Sequence, residues 1–164
     1  MINEIDKRIL AILQENARTS NAEIARKVGL APSAVFERIR KLEERRVIRG
    51  YRAEINPKVL GLAQLAFTFV RSNDRPGGVE TGEKLAEIPE ILEVHHVAGE
   101  DCFLIKARAR DAEALGRLLR ERLGAVTTIS STRTTIVLET VKETAALPLT
   151  CAEAEPDDDE AASA

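Results

Sequence analysis

The chain has 164 residues, 44% of them hydrophobic, 3% aromatic and 31% charged, with a formal net charge of −3. That length suits one ordinary domain or two small ones, with enough apolar material for a core. One Tyr and no Trp argue against aromatic platforms for RNA or single strands. No apolar run is long enough to predict a membrane span, and the opening MINEIDKR lacks the apolar stretch of a signal peptide. Cys102 and Cys151 lie far apart with no CxxC pair, which predicts neither a metal site nor a disulfide framework. These features together predict a cytoplasmic protein.

The charge is unevenly spread. Residues 1–56 hold 12 Lys/Arg against 8 Asp/Glu, residues 57–150 hold 12 against 13, and residues 151–164 hold none against 6. The basic excess therefore belongs to the N-terminal segment alone, which says more about partners than the total does.

The first predicted helix follows Asn3 as N-cap and runs to about Asn16, with Ile5, Ile9, Ile12 and Leu13 on one face. Ser20 and Glu23 form a capping-box pattern that starts a second helix, with Ile24, Ala25 and Val28 inward and Gly29 as its left-handed end. Pro32 sits where a first helical residue belongs, so a third helix runs from Pro32 to about Arg45. At 100° per residue, Val35, Ile39 and Leu42 form its packing side. Ser33, Glu37, Arg40, Lys41 and Glu44 fall opposite, flanked by Ala34 and Arg38.

This layout, spanning about 20–45, is that of a helix-turn-helix DNA reader. Short Ser33 and Ala34 can approach base edges or a thymine methyl, and Glu37 can accept from cytosine N4. Arg38, Arg40 and Lys41 are placed to meet phosphates, with Arg45, Arg49 and neighbouring arginines adding contacts. The bland alternative is a solvated face of pairs such as Glu37–Lys41. Residues 47–55 have strand character around Gly50 and predict a wing hairpin or a strand leading onward. The domain closes at residue 56, and 57–61 reads as a linker.

From residue 62 the pattern becomes β-α-β-β-α-β: strands at about 65–70, 91–97, 102–109 and 131–141, helices at about 79–88 and 112–123. The fold class is thus α+β, a winged helix-turn-helix domain (1–56) followed by a ferredoxin-like domain (62–143). One small sheet with helices on a single face needs cover on the other, which predicts a homodimer, suited to paired half-sites on double-stranded DNA. Residues 144–164 read as an acidic disordered tail.

Both halves together resemble the Lrp/AsnC family, the leucine-responsive or feast/famine regulators. The residues that carry the likeness are EIDKRILAILQENARTSNAEIARKVGL, APSAVFERIRKLEERRVIRGY, IPEILEVHHVAGEDCFLIKARARD and STRTTIVLETVKE. The resemblance implies a sequence-specific DNA-binding transcription regulator whose C-terminal domain dimerises and senses a small amino acid, with dimers joining into octamers or other assemblies. It implies an effector site where dimers meet. The loop Gly99, Glu100, Asp101 and Cys102 would line it, with Thr132, Thr134, Thr135 and Ile136 nearby. Backbone N–H groups at Gly99 suit a carboxylate, and threonine hydroxyls add hydrogen bonds. The chain departs from the family in three places: Cys102 stands at the usual Asp, Ala31 at a frequent Ser and Arg46 at a frequent Gly.

No metal or prosthetic cofactor is expected. An alternative is a tetrapyrrole (sirohaem) decarboxylase-like enzyme on the same architecture. It would need basic or histidine residues around a large pocket, whereas adjacent His95 and His96 on a strand point to opposite faces. A third reading is a stand-alone amino-acid-sensing module, against which the basic skew of residues 1–56 argues.

Overall fold

The computed structural model describes residues 2–75, 78–99 and 101–149. They form two compact units, one from the residues up to Ala53 with the segment from Glu143, the other Glu54–Lys142.

In the first unit, helices α1 (Glu4–Glu15), α2 (Asn21–Val28) and α3 (Pro32–Glu44) enclose Ile9, Ile24, Ala25, Val28 and Val35. The reciprocal capping box forms at α1: Asn3 Oδ1 accepts from Asp6 N at 2.9 Å and Asp6 Oδ2 from Asn3 N at 3.2 Å. At α2 only half of the predicted box forms, Ser20 Oγ accepting from Glu23 N at 3.2 Å, because the Glu23 carboxylate turns to Lys27. Gly29 takes φ 77, ending α2 as expected.

Two expectations change here. Residues 47–56 contain no strand, since nothing within the unit offers them a pairing edge; instead Val47 N and Ile48 N close onto Leu42 O. Residues 144–149, read above as the start of the tail, group with the first unit, where Gln14 makes paired hydrogen bonds with the backbone of Leu147 (Leu147 N to Oε1, 2.7 Å; Nε2 to Leu147 O, 3.1 Å). An amide matches both groups of one extended residue, so this stretch belongs to the first unit. Residues 150–164 lie outside the described residues.

Arg46 sits at φ 59, the left-handed region, where a Cβ is strained. Arg46→Gly is expected to raise stability by about 0.5–1 kcal/mol, read as a higher urea midpoint at unchanged slope.

The second unit is an antiparallel sheet in the order β2-β3-β1-β4, built from β1 (Gln64–Ser72), β2 (Ile91–His96), β3 (Phe103–Ala109) and β4 (Ile129–Ile136). Helices α4 (Glu80–Ala86) and α5 (Ala112–Arg117), the latter continued by a π-helical turn over Leu118–Leu123, supply Leu85, Leu115, Leu118 and Leu123 to its core. The order is that of a ferredoxin-like fold. Strand β4 starts two residues earlier than expected and stops at Ile136. After Val137 N bonds Leu65 O, Gln64 alone of β1 lies beyond.

The alternation in β1 resolves as Ala66, Thr68 and Val70 buried, with Phe67 and Phe69 on the opposite, partly open face. Small residues face the helices because the helices pack close. Gly82 of α4 lies directly over the Phe103 ring.

Candidate DNA-reading face and ligand loop

Helix α3 presents Ser33, Glu37, Arg40 and Lys41 to solvent, with Ala34 half-buried beside them. Val35 and Leu42 are buried and Ile39 half-buried, as the angular reading requires. Ala31 gives the helix no side-chain cap; Pro32 has no N–H to satisfy, and Ala34 N bonds Ala31 O at 3.0 Å.

The cations on this helix are not equivalent. Arg38 Nη1 bonds Asp6 Oδ1 at 2.8 Å, tying α3 to α1, so the geometry makes it a positioning residue. Arg40 is clamped between Glu37 (2.7 Å) and Glu44 (2.6 Å). The Glu37 hydrogen bond and charge, with help from Glu44, raise its already high pKa. The Glu37–Lys41 pair named under the bland alternative gives way to this clamp, and Lys41 is exposed. Arg45 ends the helix and, like Arg49, is exposed.

The structure adds Phe36, which sequence reading missed. It is 53% exposed and lies beside Ser33 and Arg40 on the helix surface at i−3 and i+4. The signal was available, since at 100° per residue it falls outside the Val35–Ile39–Leu42 side. Beyond α3, the Tyr51 hydroxyl donates to Glu43 Oε1 at 2.9 Å; burial and the Glu43 carboxylate push its pKa up to about 12. This contact folds the chain back along the helix end.

In the second unit, Gly99 takes φ 137, a conformation that favours glycine. Glu100 lies outside the described residues. Asp101 pairs with Arg133 Nη2 at 3.1 Å, and Arg133 stacks 4.4 Å over the Phe69 ring. The loop is thus joined to the middle of β4. Cys102 points elsewhere, its thiol donating weakly to Ser72 O at 3.7 Å. The one-residue offset from the family pattern therefore sends the carboxylate and the thiol to different places.

The four β4 residues divide between the faces. Thr132, Thr134 and Ile136 stand opposite Val70, Thr68 and Ala66 on the helix side, while Thr135 stands opposite Phe67 on the open side. Thr134 shares a 2.9 Å hydroxyl bond with Thr68. A cavity of about 440 Å³ in this unit is lined by Leu62, Arg108, Arg117, Leu118 and Arg122, away from the loop.

His95 and His96 do face opposite ways: His95 meets Glu93 at 3.3 Å, while His96 stacks on Phe103 at 5.1 Å. Among the described residues no group of His, Cys, Asp and Glu could hold a metal ion, and no helix is long and apolar enough to cross a membrane.

Comparison with known proteins matches both units. The AsnC-type helix-turn-helix domain matches residues 2–43 and the Lrp/AsnC ligand binding domain residues 65–147. The HTH-type transcriptional regulator FL11 of Pyrococcus horikoshii is 39% identical over 148 residues, covering 90% of this chain and 97% of that protein. The leucine-responsive regulatory protein of Escherichia coli K12 is 36% identical over 144 residues, 87% of this chain and 88% of that one. A transcriptional regulator of Neisseria meningitidis, solved as a complex with L-Met, superposes with a TM-score of 0.85 at 28% identity, covering 91% of this chain and 97% of that one. With both domains matched in order and relatives aligned over nearly their whole length, the chain belongs to the Lrp/AsnC family of DNA-binding transcription regulators.

Proposed function

We propose that this regulator reads duplex DNA with the exposed row of α3 and is modulated by a small amino acid bound at the Gly99 loop. Ser33, Ala34, Phe36 and Glu37 face base edges, Phe36 being suited to a thymine methyl. Arg40, Lys41, Arg45 and Arg49 meet phosphates. A protein acting on genomic DNA works where that DNA lies, in the cytoplasm.

The observation that carries the effector reading is the Asp101–Arg133 pair at 3.1 Å. It brings a carboxylate and a guanidinium, the two groups that complement an α-amino acid, to one place in the loop that Gly99 opens. The L-Met complex of the Neisseria relative supports an amino acid as the ligand class. The pair lies at the partly open face of the sheet with Phe69, so a second copy covering that face would close the site. This favours a homodimer, and assembly of dimers, as the sensing form.

A thermal-shift panel of the twenty amino acids at millimolar concentration tests the effector reading. At least one is expected to raise the melting temperature of the intact chain, and Arg133→Ala should abolish that shift. No shift with any of them, or a shift unaltered by Arg133→Ala, would place the ligand elsewhere or remove it.

A further inference from the structure

The Gln14–Leu147 clamp has a consequence beyond packing. It fixes the chain on α1 of the DNA-reading unit just before residues 151–164, which carry six carboxylates and no cation. The matched ligand-binding domain ends at residue 147, so this acidic segment lies beyond what the family shares. Residues 1–53 of the same unit carry 12 Lys/Arg against 7 Asp/Glu.

We propose that the acidic segment 151–164 competes with DNA for the basic outer face of its own helix-turn-helix unit, delivered there by the Gln14–Leu147 clamp. The proposal rests on the reading face assigned above to α3.

The reach is sufficient. Asp158 lies nine positions beyond Leu149, a length of chain that covers about 30 Å at full extension. A unit of some fifty residues has a radius of gyration of about 10 Å, so the carboxylates can reach cations well beyond the immediate neighbourhood of Leu149. Being part of the same chain, they compete intramolecularly rather than from dilute solution. The target also suits the competitor. Lys41, Arg45 and Arg49 are exposed, and a row of carboxylates offers the same charge-assisted contacts as phosphates. Because these contacts are exposed, salt weakens them as it weakens DNA binding. The competition is therefore strongest at low ionic strength. It discriminates against weak, non-specific duplex more than against a good operator, whose base contacts the segment cannot imitate.

The test measures affinity for a random duplex by fluorescence anisotropy across a salt series, using four proteins. They are the full chain, a chain ending at Leu149, the full chain with Glu153→Gln, Glu155→Gln, Asp157→Asn, Asp158→Asn, Asp159→Asn and Glu160→Gln together, and the full chain with Gln14→Ala. The truncated and neutralised chains should bind about tenfold tighter near 50 mM salt, the gain fading as salt rises. Gln14→Ala should recover part of that gain in the full chain and change nothing in the truncated one. Equal affinity of the full and truncated chains at every salt overturns the proposal while leaving DNA reading intact. A gain on truncation with no effect of Gln14→Ala overturns it too, reducing the segment to through-space repulsion. If no form binds duplex, the reading-face assignment falls and the proposal falls with it.

Discussion

Replacing Arg40 and Lys41 together by Ala is expected to weaken duplex binding about ten- to a hundredfold near 100 mM salt and to lower the salt slope by about one to two units. The loss should be similar for operator and random DNA, because these side chains meet phosphates rather than base edges. The two single variants should differ. Lys41 is exposed, whereas Arg40 is held by Glu37 and Glu44 at 2.7 and 2.6 Å. Arg40 must leave those carboxylates to meet DNA, so part of its attraction is already spent inside the protein. Lys41→Ala should therefore cost more affinity than Arg40→Ala, and Glu44→Gln should tighten random-duplex binding by loosening the clamp. Salt titrations of the four proteins measure this, and an unchanged slope in the double variant would remove α3 from the interface.

Gly82→Ala is expected to destabilise the C-terminal unit although alanine is the better helix former. Within α4 the exchange should gain up to about 1 kcal/mol of helix propensity. A methyl there would lie 2.6 Å from Phe103 Cε1, and Phe103 is a rigid ring only 2% exposed within the core cluster. Overpacking of this kind costs about 1–3 kcal/mol, so the clash outweighs the propensity. Phe103→Leu vacates the space, and in that background Gly82→Ala should be neutral or stabilising. Thermal melts of the two single variants and the double form a cycle with a large coupling term. Additive effects would show that α4 moves aside rather than resting on the ring.

Local chemistry made much of the first unit legible. Asn3, Ser20, Gly29 and Pro32 act within a few residues of themselves, and each sits at a helix end as their chemistry requires. The packing side of α3 followed from the 3.6-residue period alone. The reading face was legible as a set of positions, but not as a set of free charges. Whether Arg38 serves Asp6 or a phosphate depends on α1, thirty-two residues away. No periodicity reports that distance.

The second unit divides in the same way. The order of strands and helices was readable from alternation and caps, and family likeness supplied its sense. The faces were not. In β1, hydrophobic residues occupy both sides, so period-two patterning cannot tell which side meets the helices; Gly82 and the close helix packing assign that role to Ala66, Thr68 and Val70. Likewise Thr135 looked equivalent to Thr132 and Thr134 until pairing with β1 put it on the other face. The chain by itself determined the elements, their order and the charge asymmetry, because those depend on neighbours in sequence. Only the tertiary structure decided which cations are engaged, where Asp101 and Cys102 turn, and that Leu147 returns to Gln14. Those outcomes depend on contacts between residues far apart in the chain.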